Sequence, residues 1–309
     1  MRVAICVATY RRPISLERLL QSLAGLTYER SDRPEVTVVV VDNDRDGSAA
    51  AVVEACRQSA PGRIEYAVEA EPNIARARNQ AVEIALRGEP DALAFIDDDE
   101  VADTRWLDEL MAAQRAHDAD VVFGPVLPRY EPAVQPWVVR GGFFEPNRYD
   151  NGTVLKIGWT GNALVRRTMF ANPAFRFDPA FGTSGGEDTH FFMRLYRSGA
   201  RMVWTNDARA EELVPVSRTS VRWLVLRAYR IGNTSVYCER ALCPAWAWVP
   251  GRLAMALVRL VVGGVLLLVA MVRGRAAMVR ALRTMSHGLG SITGLLGFRY
   301  LEYRTIHGR

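Results

Sequence analysis

The sequence predicts an α/β fold, a mostly parallel sheet with helices on both faces, followed by a helical C-terminal appendage. Three observations carry that reading. Short runs rich in valine and isoleucine alternate with stretches whose leucines and alanines recur at helical spacing through residues 1–126, as βαβ units require. The run VTVVVVD, residues 36–42, is apolar at nearly every position, which suits a strand covered on both faces. After Gly251 the composition changes to an apolar stretch with nine Arg against one Glu.

VAICVA (3–8) is the first strand, and PISLERLLQSL the first helix, with Leu16, Leu19, Leu20 and Leu23 on one stripe. Ser15 is positioned to cap that helix and Ile14 to staple against Leu19. After VTVVVVD, Ser48 opens an Ala-rich helix and IEYAV is the third strand. NIARARNQAVEIAL is a helix with its stripe at Ile74, Ala77, Ala81 and Ile84; ALAFID is the fourth strand, TRWLDELMAAQ a helix and DVVFGPV a further strand. Residues 127–162 then break the alternation with Pro, Gly and aromatic residues. Loops this long are usually functional or disordered, and the density of Trp, Phe and Tyr argues against disorder.

A chain of 309 residues, 49% apolar and 24% charged, is globular rather than disordered and long enough for one large domain with an appendage. The formal charge of +5 divides into +8 after Gly251 and −3 before it, a slightly acidic body and a basic tail. Cys6, Cys56, Cys238 and Cys243 form no C-x-x-C pair and have no histidines at metal spacing, so they read as free thiols of a reducing compartment. The first apolar run ends at Arg11, Arg12 and Pro13, too short for a signal segment, so the body is expected in the cytoplasm.

The stretch ALAFIDDDEVAD, residues 92–103, crowds Asp97, Asp98, Asp99 and Glu100 at the end of a strand. Such repulsion needs a cation or several donors to offset it, unless the run is a solvated turn that starts the next helix. Ligands of open parallel sheets bind outside the carboxyl ends of the strands. Three such ends carry suggestive groups: Thr9 and Tyr10, then Asp42-Asn43-Asp44, then Asp97-Asp98-Asp99. This convergence favours a metal or nucleotide site, and hard oxygen ligands suit Mg²⁺ or Mn²⁺.

The pieces VATYRRP, VVVVDND, ARARNQAVEIA, AFIDDDE and GTSGGEDTHFFMRLYRSGA stand in an order that resembles the inverting family 2 nucleotide-sugar glycosyltransferases, over roughly residues 1–235. VVFGPVLPRYE, GGFFE, TGNALVRR and RAYRIGNTS are similar to those of bacterial succinoglycan-type exopolysaccharide glucosyltransferases. The resemblance implies a single Rossmann-like, A-type nucleotide-sugar-binding domain over residues 1–235, with a nucleotide-binding half (1–126) and an acceptor half (127–235), and a tail over 236–309. It implies that Thr9, Tyr10 and Asp42 hold base and ribose, that Arg78 approaches the ribose or diphosphate, and that Asp97 or Asp98 faces the ribose. Asp99 is then the ligand of a Mn²⁺ or Mg²⁺ ion that neutralises the leaving diphosphate.

Gly185 and Gly186 allow a tight turn before the helix that Glu187 and Asp188 start. Carboxylates are common at helix starts, but by resemblance Asp188 is the base that accepts the acceptor's hydroxyl proton, while Glu187 orients acceptor or donor. Arg227 and Arg230 are expected to clamp donor or lipid diphosphate; the Q-x-x-R-W motif of processive relatives is missing, which argues against a processive synthase. Trp159, Thr160, Gly161, Asn162 and His190 are the acceptor candidates, with an aromatic satellite core as the other reading of 127–162.

From Leu253 to Val272 the chain is apolar except Arg259, and the uncharged run from Leu260 is shorter than the roughly 20 residues of a spanning helix. AWAWVP before it reads as an interfacial anchor. Leu282, Met285, Leu289, Ile292 and Leu296 form a second stripe opposite Arg280, Arg283 and His287. Monotopic attachment to an anionic membrane surface is favoured over spanning, with an oligomer interface as the third reading. The expected partners are a nucleotide-sugar donor, a polyprenyl-diphosphate-linked saccharide and that membrane surface, with no nucleic acid. Two rivals are a sugar-nucleotide pyrophosphorylase, whose Gly-rich phosphate loop is absent from VATYRRP, and a non-catalytic membrane scaffold.

Overall fold

A computed structural model describes residues 1–243 and 246–300. Arg2–Thr9 forms β1, and Pro13–Ala24 forms α1 with Leu16, Leu19, Leu20 and Leu23 buried. Pro13 occupies the first turn, where its missing N–H costs nothing. The helix therefore begins ahead of Ser15, no side chain caps it, and Ile14 is exposed, so the expected cap and staple do not form. Glu35–Asp42 is β2, Ala50–Cys56 is α2 and Arg63–Val68 is β3. Ser48 lies in the turn before α2 instead of capping it, with its hydroxyl 3.5 Å from Asp42 Oδ2. Ile74–Arg87 is α3, whose cap is Asn73: its side-chain oxygen accepts from the N–H groups of Ala75 and Arg76. Ala92–Ile96 is β4, buried throughout, followed by β5, Glu100–Ala102, and α4, Trp106–Ala116.

The DVVFGPV run divides at Gly124-Pro125 into β6, Val121–Phe123, and β7, Val126–Tyr130. Pro136–Gly141 is α5, Asn162–Arg166 is β8 and Glu187–Arg197 is α6. Met202–Trp204 is β9 and Ala210–Val214 is β10. The main sheet runs β3-β2-β1-β4-β8-β6-β9, parallel except for β8, which is antiparallel to both neighbours; β5-β10-β7 make a second, smaller sheet. One apolar layer joins the main sheet to α1, α2 and α4, and the other joins it to α3 and α6. This is the expected doubly covered, mostly parallel architecture. Strands β8 and β9, buried and without alternation, are main-sheet elements that periodicity alone does not reveal.

The tail is a three-helix unit. Val221–Leu242 is α7, Val249–Arg273 is α8 and Arg275–Leu295 is α9. Helix α7 runs through the expected boundary at 235/236 without a break. Helix α9 packs along α7 through the buried small residues Ser286, Gly290, Ser291 and Gly294, where a β-carbon on Gly290 would lie 2.0 Å from the Tyr229 carbonyl oxygen, and its Gly288 backs onto Ala256 of α8. The face expected to be apolar is therefore turned partly outward, with Leu289 and Leu296 exposed. Arg283 and His287 point inward, Arg283 over the Phe143 ring and His287 Nδ1 3.2 Å from Arg259 Nη1. Close backbone approach wins here because glycine and serine leave room for it, which large side chains do not.

That contact changes the reading of α8. Arg259, which interrupts the apolar run in sequence, faces α9, and the opposite side exposes Leu257, Val258, Val261, Val265, Leu268 and Val272. Trp246–Ala270, whose most apolar 18-residue window has a mean hydropathy of 2.5, is long and apolar enough to cross a membrane by length and composition. Trp246 of the expected aromatic anchor is exposed, while Ala245 lies outside the described residues.

Candidate active site

The carboxyl ends of β1 and β4 are neighbours because those strands pair in parallel, Cys6 opposite Phe95. That register explains how three consecutive aspartates coexist: each has its own donor, and Arg12 is shared between Asp98 and Asp99. Asp97 Oδ1 accepts from Arg78 Nη2 at 2.9 Å. Asp98 accepts from the Thr9 hydroxyl at 2.7 Å and from Arg12 Nη1 at 3.1 Å. Asp99 Oδ2 accepts from Arg12 Nη1 at 2.9 Å and from Arg218 Nη2 at 3.2 Å. Glu100, buried, takes the Asp97 N–H at 3.0 Å, and burial, with Asp97 beside it, holds its carboxyl well above the ordinary range.

Arg78 reaches this cluster from α3 and joins it to α6, because it also donates to Glu187 Oε1. Gly186 caps α6 in the left-handed region, φ 89°, where a side chain would be strained. The two carboxylates that follow differ. Glu187 is buried, its Oε2 has no partner among the described residues, and burial, offset in part by Arg78, pushes its carboxyl from 4.5 up to about 7. Asp188 is half-exposed, its Oδ1 accepts from the Thr189 N–H at 2.6 Å, and it makes no ion pair among the described residues.

The Glu187 shift has a measurable consequence. Its folded-state pKa lies above the unfolded one, so the native state binds that proton more tightly. The stability it contributes is present below about 4.5 and is lost as pH rises towards about 7. Thermal melts over this window should show Glu187→Gln losing stability less steeply with pH than wild type, by of order 1–3 kcal/mol across it. Parallel melting curves would remove the assignment.

The nucleotide candidates cluster at the ends of β1 and β2. Tyr10 is half-buried with the Arg11 guanidinium 5.3 Å above its ring, and Arg11 pairs with Asp44 at 3.0 Å. Asp42 is buried and accepts from the N–H groups of Asp44 (3.0 Å) and Ala49 (2.7 Å) and from the Tyr66 hydroxyl (3.1 Å), which fixes the loop after β2.

The acceptor candidates divide. Thr160 is buried beside Arg78, Asp97 and Cys6 in one recess, and its hydroxyl has no partner among the described residues. Gly161 passes close above the acidic cluster, where a β-carbon would lie 2.6 Å from Glu100 Oε1. Trp159 is half-buried and stacks on Phe123. Two others are packed away. Asn162 accepts from Trp106 Nε1 at 2.8 Å and donates to the carbonyls of Pro125 and Ala208, so its amide is spent in the core. His190 is buried face to face with Phe181, and burial, with Arg194 nearby, lowers it to about 4, so it is neutral at pH 7.

The aromatic segment after residue 127 forms a satellite core: Val134, Val138 and Phe143 pack with Leu224 of α7 and Val279 of α9, and Tyr130, Trp137, Phe144 and Trp223 border them. Arg227 stacks over Phe144 and Trp223, at 5.4 and 5.3 Å, rather than joining the aspartates; Arg230 is half-buried three residues further on. Arg12, Arg218 and Glu212, which pairs with Arg218, join the site without having been singled out in the sequence. Arg12 was findable beside the end of β1; Arg218, at the end of a single 3₁₀ turn before α7, carried no signal.

A divalent cation fits this donor set in one way. Among the described residues no three His, Cys, Asp or Glu side chains are arranged to hold an ion by themselves. Mg²⁺ and Mn²⁺ commonly take one or two carboxylates and complete their shell with water and substrate phosphates, which suits Asp99 at the rim of the cluster.

Residues 4–172 match the family described as Glycosyl transferase family 2. The chain is 34% identical to the succinoglycan biosynthesis protein ExoM of Rhizobium meliloti over 98% of its own length and 95% of that protein. It is 27% identical to the glucosyl-dolichyl phosphate glucuronosyltransferase of Haloferax volcanii, over 74% of each chain. Among solved structures, S. aureus TarS 1-349 in complex with UDP-GlcNAc has the same fold, with a TM-score of 0.57, 15% identity, and coverage of 96% of this chain and 92% of that one.

Proposed function

Because the chain belongs to glycosyl transferase family 2 and its role is glycosyl transfer, we propose that it moves a hexose from a UDP-linked donor to a lipid-linked saccharide, with inversion at the anomeric carbon. Asp188 carries the reading: a solvent-reached carboxylate without an ion pair among the described residues, held at the start of α6 within electrostatic range of Asp97. The acceptor's hydroxyl oxygen attacks the anomeric carbon, its proton passes to Asp188, and the bond from that carbon to the diphosphate oxygen breaks. Thr9, Tyr10 and Asp42 line the base and ribose end; Arg78, Asp97 and Asp98 follow the ribose and diphosphate. Asp99 would hold a Mg²⁺ or Mn²⁺ ion, which neutralises charge on the leaving diphosphate when bound. Thr160, Gly161 and Trp159 border the acceptor.

The UDP-GlcNAc complex of TarS supports a UDP-linked donor, the dolichyl phosphate in the name of the Haloferax relative supports a lipid-linked acceptor, and the name of the Rhizobium relative supports a place in exopolysaccharide synthesis. The family match sets aside the pyrophosphorylase reading. The deciding experiment is a donor screen that measures nucleoside diphosphate release with Mn²⁺ or Mg²⁺, together with the anomeric configuration of the product by NMR. No release with any donor would leave the scaffold reading, and a retained configuration would overturn the mechanism.

Attachment at the cytoplasmic membrane face through α8 belongs to the same proposal. Truncation after Pro250 is a poor test, because it also strips α9 from α7. Charging the exposed side of α8 leaves that packing intact: Val261→Glu with Leu268→Glu should release the protein from membranes into the soluble fraction while its melting temperature stays within a few degrees. Undiminished pelleting with membranes would rule out α8 as the anchor.

A further inference from the structure

We propose that Arg227 and Arg283 bind the diphosphate of a prenyl-linked acceptor, at a site separate from the donor's. The inference rests on the lipid-linked acceptor proposed above and gives it an address. Phe144 and Trp223 stack at 5.7 Å and 19°, with Arg227 over both. Arg283, from α9, lies 5.2 Å over Phe143, and Arg275 lies 4.7 Å over Trp137, itself edge-on to Phe143. Helices α5, α7 and α9 and the segment after α5 thus build one aromatic platform carrying guanidinium groups.

What sets these arginines apart is that their charge is unspent. Arg12, Arg78 and Arg218 each hold two carboxylates. Among the described residues, Arg227 and Arg283 make no ion pair and no hydrogen bond, and Arg283 Nε is buried without a partner. The carboxylate facing Arg227 is Glu212, already taken by Arg218. Burial lowers both guanidinium groups from their ordinary values, and Arg227 lowers Arg283 further, as like charges at close range do. Stacking on rings supplies part of the compensation, but the N–H forks remain available, and their planar geometry matches phosphate oxygens two at a time.

The surroundings choose among phosphates. Arg218 links Asp99 to Glu212, and Glu212 faces Arg227, so the platform lies one ion pair beyond the candidate active site. The helix that carries Arg283 also packs along α8, whose outer side is bare and apolar. A ligand with a diphosphate head, an apolar chain and a saccharide reaching towards Asp188 meets all three features. A phospholipid headgroup uses the charge but not the neighbourhood of Asp99, and a free nucleotide does not use α8.

Farnesyl diphosphate is a suitable probe, titrated into the full-length protein in detergent and read by calorimetry. Arg227→Gln and Arg283→Gln should each weaken it roughly tenfold, as for a lost charge-assisted hydrogen bond, with Lys at either position recovering part of the loss. UDP affinity and pelleting with vesicles of one part phosphatidylglycerol to three parts phosphatidylcholine should stay as in wild type. Wild-type binding of inorganic pyrophosphate should be weaker than that of farnesyl diphosphate. The proposal falls if the Gln variants bind farnesyl diphosphate as wild type does, if they lose UDP binding instead, or if vesicle pelleting is the only property that changes. If these arginines bind the probe but no prenyl-diphosphate saccharide accepts sugar, the acceptor reading fails and the site stands. If transfer proceeds and the variants bind normally, the site fails and the reading stands.

Discussion

Asp188→Asn should slow sugar transfer by roughly 10²-fold or more, the scale on which positioned general bases contribute, while leaving donor binding intact. The amide preserves the shape of the carboxylate and can still accept from the Thr189 N–H, so the start of α6 is not disturbed. What it cannot do is take a proton from the attacking hydroxyl. The neighbouring Glu187 is a poor substitute, because its Oε1 is held by Arg78 and its Oε2 is buried. Single-turnover transfer measured beside UDP titration separates the cases. A matching loss of donor affinity would mean that Asp188 holds the nucleotide instead.

Asp99→Asn is expected to reduce metal-dependent turnover by about 10²-fold or more, the cost of removing one group that stabilises developing charge. The fold should survive, because each arginine released from Asp99 keeps another carboxylate: Arg12 retains Asp98, and Arg218 retains Glu212. Stability should therefore change by no more than the value of partly exposed ion pairs, about 1 kcal/mol. The diagnostic readout is the Mn²⁺ concentration giving half-maximal turnover at saturating donor, which should rise in the variant. An unchanged midpoint with unchanged activity would remove Asp99 from the proposed metal site.

Much of the site was legible because it sits where a parallel sheet forces convergence. Thr9 and Asp98 are 89 residues apart in sequence, yet Thr9 ends β1 and Asp98 lies just past the end of β4, and pairing of β1 with β4 brings them to 2.7 Å. Arg78 was legible as a helix residue after Asn73, but not as the cation shared by Asp97 and Glu187, since only the packing of α3 against the sheet aims it there. Arg218 and strand β8 escaped because neither belongs to a periodic stretch. The acceptor segment misled in a different way: Asn162 and His190 look like polar ligands in sequence, whereas in the fold they serve Trp106 and Phe181. The tail misled most. Periodicity assumes that large apolar residues turn inward, and α9 instead buries its glycines and serines.

The clasp between α7 and α9 also limits how this chain can vary. A β-carbon on Gly290 would meet the Tyr229 carbonyl oxygen at 2.0 Å, and one on Gly232 would meet the His287 carbonyl oxygen at 2.1 Å. Even alanine at either position would force two backbones apart, so a saturation scan should find these positions intolerant in a segment that hydropathy would call permissive. The outer side of α8 is exposed among the described residues, and exchanges among Leu, Val and Met there should leave folding untouched. This bare apolar surface can drift from one descendant to the next, whereas the mount that joins it to the catalytic body can be replaced only as a matched pair of helices.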